Sequence, residues 1–576
     1  MPTGTSNKQI QMLDFDLGAG SFPVTTLLPQ VQQLFDLGLN WCFGFNQEEG
    51  LACFKRAIKH DPDCAMLYWG AAYAAGPFYN MPWCDFSVAE ATECTAFCHG
   101  MIENAVRLSG QATSLEAALI KALSHRVQAP NIVPKTTFDS WDDAYADAMR
   151  DIYWDYRESL DVAALFIEAM MTRTPWRMWD VNTKFPPRGA DTLEALDVCE
   201  AAITQADRQL VPQHPAILHF HIHLLEMSET PQRAMPSAIR LAGLCPDAGH
   251  IHHMPGHIFL LCGEYEKACV ASQTAIEVNR KYLAYAGPYN YYTTARCHDL
   301  HLMMYAAMLS GQFIPAMAAA EEICENLTPD VIDLKSKPFI AATMEGYFSM
   351  KMHVLVRFGR WQEIVDSPMP ENAALYCVST AMHNYASAIA HAALGNIVQA
   401  EQQKTAFYLA LEHIKPGRKF FNNPALTTLA VGEMMMLGEL EYHKGNYPLA
   451  FTHLRESVRR CDNLHYSEPW PWMHPPRHAL GALLLEQGQY VEAEEVYRSD
   501  LGLNDTVQRC AQHWENIWSL HGLEECLKHR GATVELAQLQ SKLDVARALA
   551  DTPVTSSCCC RKMTVDQNVY HTGATE

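Results

Sequence analysis

An all-α solenoid of helix hairpins is the fold class that three features of this chain predict. Its 576 residues exceed what one compact core usually holds, about 250–300 residues. Apolar residues recur at helical 3–4 spacing over most of its length, whereas alternating runs bounded by turns do not recur. A phrase also returns along the chain: a helix, Gly with an aromatic or long residue, Ala, a second helix, and often Pro.

The copies come in order. The first is LFDLGLN…EEGLACFKRAIKHDP, from Leu34 to Pro62, and the second is GEYEKACVASQTAI, from Gly263. Then follow SGQFIPAMAAAEEI from Ser310, FGRWQEIV from Phe358 and LGNIVQAEQQKTAF from Leu394. LGELEYHKGNYPLAFTHL from Leu437 and ALGALLLEQGQYVEAEEVY from Ala479 complete the set. The phrase resembles the tetratricopeptide repeat, a pattern of about 34 residues that stacks helix pairs into one continuous core. The expected architecture is therefore a tetratricopeptide-like helical-hairpin solenoid, a right-handed superhelix spanning 26–550. A flexible segment precedes it at 1–25, and a disordered, Cys-containing tail follows at 551–576. Cys558, Cys559 and Cys560 beside Arg561 make that tail a possible acylation site, though a plain disordered end is the simpler reading.

Composition excludes several functions. Apolar residues make up 49% and charged residues 19%, the balance of a folded globular chain. A net charge of −22 argues against nucleic acid or an anionic membrane surface as partner. No apolar run reaches the roughly 18 residues of a membrane span. The N-terminus lacks the basic and apolar regions of a secretory signal. The 19 cysteines, without CxxC pairs, are expected as buried thiols in a cytoplasmic protein.

The repeat acts as a ruler for AGHIHHMPGHIFLLCGEY (Ala248 to Tyr265), which carries four histidines. In the pattern, positions 4, 7, 8 and 11 of the first helix pack against neighbours, and Gly takes position 15. Positions 2, 5, 9 and 12 form a second stripe roughly 130° away at about 100° per residue. The tetratricopeptide resemblance implies that this second stripe lines the concave groove. With Gly263 at 15, His250, His253 and His257 fall at 2, 5 and 9, while His252 falls on the packing stripe. In the preceding repeat His219, His223 and Glu226 fall at 5, 9 and 12. In the following one His298, His301 and Tyr305 fall at 2, 5 and 9. A histidine-rich groove is thus expected at 214–301.

Eight of the 26 histidines lie between His214 and His257. His219/His223 and His253/His257 are i,i+4 pairs, each on one helix face. Packed helices lie about 8–10 Å apart and an imidazole reaches roughly 5–6 Å to a metal, so opposing pairs can meet at one ion. The ligand candidates are His219, His223, His253, His257 and His301, with His250 and His298 in reserve. Histidine sites without thiolate suit Cu or Fe, with Zn possible. Glu226 would ligate or orient a histidine, and Glu168 or Tyr305 would act in proton transfer. Other readings of the stripe are a polar pocket without metal and plain structure. His353 and His478 read as single groove polar residues. Trp176, Trp179, Tyr289, Tyr291 and Tyr292 can stack on an apolar ligand or fill core. No P-loop and no nucleophile-elbow motif is present.

Longer phrases resemble a particular group of tetratricopeptide-domain proteins of bacteria and fungi, more distantly similar to the tetratricopeptide repeat protein 38 type. They are DPDCAMLYWGAAYAAGP (Asp61 to Pro77), EAMMTRTPWRMWD (Glu168 to Asp180), HFHIHLLE (His219 to Glu226), PDAGHIHHMPGHI (Pro246 to Ile258), RFGRW and YSEPWPW. The similarity covers roughly residues 30–545 and implies the fold without a reaction. In that group His219, His223, His250, His253 and His257 occupy matching motif positions. His221 and His252 depart from it, as does Gln47, where histidine is common.

These residues point to a metal centre in the groove acting on a small molecule, by redox or oxygen chemistry or by metal-activated water. The alternative is a non-catalytic scaffold that binds a peptide or protein partner in the same groove.

Overall fold

Residues 14–335 and 337–561, which the computed structural model of this chain describes, are almost wholly helical. They form 26 α-helices, and the sheet among them is one hairpin pairing Lys419–Phe420 with Asn423–Pro424. Successive helices pack as hairpins, such as Gly249–Leu261 with Tyr265–Ala286 and Thr293–Leu309 with Phe313–Asn326. The turns of these two contain Gly263 and Gly311 at φ +78° and +75°, where a Cβ would strain the backbone.

One contact recurs inside the hairpins. A Cβ at Gly38 would lie 2.9 Å from Phe54, at Gly438 2.6 Å from Leu454, and at Gly481 2.5 Å from Tyr497. In each case the partner lies on the second helix at the same sequence offset, so the small residue lets the two helices close. The second-helix alanines Ala268, Ala316, Ala400, Ala450 and Ala493 are buried at the repeat's Ala position. The architecture is therefore a tetratricopeptide-like array of helix hairpins. Pairing continues where the phrase is missing, as in Ala65–Ala75 with Val88–Leu108 and Ser114–Arg126 with Lys135–Asp155. The copy at Phe358 is truncated, its second helix spanning Trp361–Asp366.

A simple solenoid joins each repeat to its neighbours alone. This array folds back on itself. Glu48 accepts the Tyr291 N–H at 2.8 Å and Glu49 the Tyr285 hydroxyl at 3.2 Å, tying the first hairpin to the middle of the chain. Lys419 Nζ donates to Asp85 at 3.0 Å. The Tyr265 hydroxyl donates to the Trp514 carbonyl and Trp518 Nε1 to the Met308 carbonyl, both at 2.7 Å, tying the last hairpins to the same middle. The concave side around the histidines is filled by the chain itself.

Both termini depart from expectation. Leu17 and Phe22 are buried, and the Asp36 carboxylate takes the Ser21 hydroxyl and the Phe22 N–H, so the chain is anchored before residue 26. The tail expected to be disordered from 551 is packed as far as Arg561. Arg357 donates to the Ser557 carbonyl at 2.6 Å, Ser557 and Tyr497 share a hydroxyl bond at 2.6 Å, and Arg561 reaches Glu525 at 2.8 Å. Cys558 and Cys560 are buried, which removes them from acylation. The reason is that this segment covers Arg357 and Tyr497, a partnership between side chains more than 50 residues apart that local composition does not reveal. Residues 1–13 and 562–576, the remainder of the two expected flexible segments, lie outside the described residues. All 19 cysteines are free thiols. No described helix is long and apolar enough to cross a membrane.

Deleting residues 551–576 is expected to lower Tm by about 2–5 °C, because a buried guanidinium and a tyrosine lose their partners. A thermal melt that does not move would return the segment to a tail without structural weight.

Candidate metal centre

Three first helices, Pro215–Glu226, Gly249–Leu261 and Thr293–Leu309, pack side by side. Their second stripes meet. His219, His223 and His250 form one group, and His253, His257 and His298 a second, with the ligand atoms of each within 4.8 Å of one another. The groups adjoin: the His250 and His253 rings are 5.8 Å apart and the His223 and His257 rings 6.0 Å.

Three of the outward nitrogens are engaged. His219 Nδ1 is 2.9 Å from the Phe43 carbonyl. His223 Nδ1 and His257 Nδ1 lie 2.7 and 2.6 Å from the two oxygens of Glu226. His253 Nδ1 stands 3.2 Å from Asp299 Oδ1 without a hydrogen bond, and burial pushes that carboxyl well above its usual range. The Phe43 carbonyl and the ionised Glu226 carboxylate only accept, so the protons of His219, His223 and His257 belong on Nδ1 and their Nε2 lone pairs are free to accept. Those lone pairs face inward. His219 Nε2 is 3.2 Å from His250 Nε2, His257 Nε2 is 2.7 Å from His253 Nε2, and His223 Nε2 has no hydrogen-bond partner. Two nitrogens held at about 2.0–2.1 Å on one tetrahedral ion stand roughly 3.3 Å apart, which the His219–His250 spacing matches. His250 and His253 carry no acceptor on Nδ1 that would hold their protons there, so each can donate Nε2–H to the neighbouring ring, and a metal ion at either position would take the place of that shared proton. Each triad therefore has the donors, burial and spacing to hold a metal ion.

Electrostatics agree with neutral ligands. Burial, then the neighbouring His223, holds the His219 pKa well below its ordinary value; burial and His219 do the same for His250. Burial and His257 bring His298 down to about 3. Burial pushes the Glu226 carboxyl up, but His223 and His257 outweigh it and hold it well below the usual carboxylate range. Glu468 lies beside it and is pushed well above that range by burial and by Glu226, so the carboxyl pair keeps one proton. This arrangement of an ionised carboxylate behind two histidines fixes ring orientation and raises their basicity as ligands.

A cavity of about 130 Å³ reaches the triads and is lined by His250, His298 and Glu468 with several aromatic rings. A void of about 30 Å³ lies beyond, between His257, Glu468, Tyr305 and His513.

The ruler thus brings six of its seven stripe histidines together. His301 joins neither triad; it stacks on Phe421 at 4.7 Å, with Tyr347 at 5.3 Å, and both its nitrogens lack partners. Glu168 is committed elsewhere, to a buried ion pair with Arg126 at 3.0 Å and to the Thr172 hydroxyl at 2.8 Å. The Tyr305 hydroxyl bonds His513 Nε2 at 2.8 Å rather than a cluster histidine. His221 and His252 bond Ser237 and the Pro246 carbonyl, as packing residues should. A third group, His478, Asp500 and His513, differs in kind. Arg357 and Asp500 take both nitrogens of His478, and Tyr305 and Asp500 both of His513. No bare lone pair is left there for an ion.

Sequence reasoning missed Glu468, Asp299 and the Phe43 carbonyl. Glu468 had a signal: it is the lone acid of YSEPWPW, set among residues that prefer burial. Asp299 adjoins His298, and a backbone carbonyl leaves no trace in sequence.

Fold and site together define the class: a tetratricopeptide-like helix-hairpin protein with buried histidine clusters. The chain matches no protein-family model and no curated protein. Among solved structures it is similar to a chain of the APC/C hetero-tetramer Cut9–Hcn1, at 12% identity over 92% of this chain and 95% of that one, with a TM-score of 0.26. It is similar to human IFIT1 with m7Gppp-AAAA at 10% identity, 92% of each chain and a TM-score of 0.29. Yeast Tom70 gives 10% identity, 90% of each chain and a TM-score of 0.27. At these scores the overlays carry no argument about the site or its ligands.

Two measurements test the electrostatic account. Glu226→Gln supplies one acceptor where two N–H groups need one each, so a loss of about 2–4 kcal/mol in unfolding free energy is expected from urea denaturation; an unchanged midpoint would remove the carboxylate from this role. His301, His353 and His474 are buried outside the triads with pKa values lowered chiefly by burial, His353 to about 3. Being neutral when folded and protonated when unfolded, each gives its full stability above pH about 6.5 and loses about 1.4 kcal/mol per pH unit below it. His353 has no partner on either nitrogen and packs edge-on to Trp472. Urea midpoints of His353→Phe should therefore equal or exceed the parent at pH 7.5 and fall less by pH 5.5; an equal fall would mean that His353 does not titrate on unfolding.

Proposed function

We propose that the two facing triads, His219/His223/His250 and His253/His257/His298, hold a pair of transition-metal ions, and that this centre acts on a small molecule admitted through the adjoining cavity. The observation that carries the reading is the inward convergence of the Nε2 atoms, with the Nδ1 sides of three rings already engaged by the Phe43 carbonyl and the Glu226 carboxylate. Neutral imidazoles without thiolate suit copper or iron, and zinc less distinctively. Such a centre supplies electron transfer or Lewis acidity. Redox or oxygen chemistry is favoured over hydrolysis, because the donor set is imidazole without thiolate and six aromatic rings stand in the cavity wall beside it. The chain's own part is to orient the ligands through Glu226 and to keep a proton on Glu468 at the edge of the cavity. Peptide binding along the same stripe finds no support, since Phe43, Phe45 and the Glu468 loop cover it.

Elemental analysis of the purified, untagged protein should give close to two ions per chain. His219→Ala and His257→Ala should each lose about one, and the double variant both, with helical circular dichroism unchanged. Absence of metal from the parent after reconstitution with Fe, Cu and Zn would overturn the proposal.

A further inference from the structure

The cavity beside the triads has features that a metal centre alone does not use. Six rings line it: Phe45, Trp176, Tyr291, Phe339, Tyr347 and Phe421. Six non-glycine residues among those described take a left-handed φ, and three are rings of this cavity: Phe45 at +57°, Trp176 at +59° and Phe421 at +52°. A bulky side chain persists in that region only where its surroundings over-determine it, and such strain collects at ligand sites. The three come from separate turns: between the helices of the first hairpin, after the helix Leu160–Arg173, and at the tip of the β-hairpin. Three unrelated segments thus accept strain to aim aromatic rings into one space.

Size and polarity narrow the ligand. The volume of about 130 Å³ is close to the roughly 150 Å³ of an apolar cavity that takes benzene, so its inner part is matched by a single ring. Asn80 Oδ1, on a residue lining the cavity, is a buried acceptor without a partner, and the protonated Glu468 carboxyl stands on the same wall. Buried acceptors left unpaired are costly and select a ligand that donates. Lys419 is already balanced by Asp85 at 3.0 Å, which leaves no spare cation for a carboxylate ligand.

We infer that the cavity binds a monocyclic phenol, its ring among the six aromatic side chains and its hydroxyl donating to the Asn80 oxygen. The role of that ligand as substrate rests on the metal reading above; its binding does not. Ligand-observed NMR on the full chain, as purified and after chelation, tests it with phenol, toluene, cyclohexanol, benzoate and 2-naphthol as probes. Phenol is expected to bind at least tenfold more tightly than the other four in both samples. Asn80→Ala should shrink the phenol-over-toluene preference several-fold. Ala295→Phe, which fills the cavity from the helix Thr293–Leu309, should abolish phenol binding while metal content stays the same. Should that variant fail to fold, Thr343→Leu fills it from another wall. The inference is overturned if phenol fails to bind, binds no better than toluene or benzoate, or still binds a folded, filled variant. Phenol binding to a protein that takes up no metal would sink the metal reading alone, and metal without phenol binding would sink this inference alone.

Discussion

Taking an ionised carboxylate out of water costs several kcal/mol unless donors replace the lost solvent, and the arrangement around Glu226 is the answer this chain has reached. Its two oxygens face N–H groups of His223, on its own helix, and His257, on the next. That one requirement has several consequences. It ties two repeats together across the concave side. It places the protons of both rings on Nδ1, which leaves their Nε2 atoms bare and pointed inward. It also sets the state of Glu468, which can approach so closely only by keeping a proton.

Burial of this kind needs a closed array. Tetratricopeptide-like hairpins by themselves leave an open concave face, and histidines there would be wet and free to titrate. Here the first hairpin brings Phe43 and Phe45 against His219 and His250, the Glu468 loop covers His223 and His257, and the last hairpins brace both. The strained turns at Phe45, Trp176 and Phe421 belong to the same closure. They leave one aromatic-walled space against the triads instead of a groove along the whole array.

The stripe His219, His223, Glu226, His250, His253, His257 and His298 was legible because it depends on local periodicity: counting back from the turn glycines places each side chain on one helix face. His301 sits on the same stripe but joins neither triad, because Phe421, from a hairpin more than a hundred residues away, occupies the space beside it. Glu168 reads as a free acid until Arg126 is seen to lie against it, and Tyr305 as a groove residue until His513 claims its hydroxyl. The packed stretch 551–561 failed for a related reason, since polar residues look solvated wherever their buried partners are distant in sequence.

What the sequence determined by itself was therefore whatever short-range geometry controls: helices, their pairing into hairpins through a small residue and an aromatic or aliphatic partner one hairpin-length on, and the register of the histidine stripe. Tertiary structure alone decided that the array closes, that the Phe43 carbonyl and Glu226 direct the imidazoles, that Glu468 joins them, and that strained rings wall a cavity beside them. Each of these depends on contacts between segments far apart along the chain, whose approach follows from summed packing over many hairpins and leaves no periodic mark in the residues that make them.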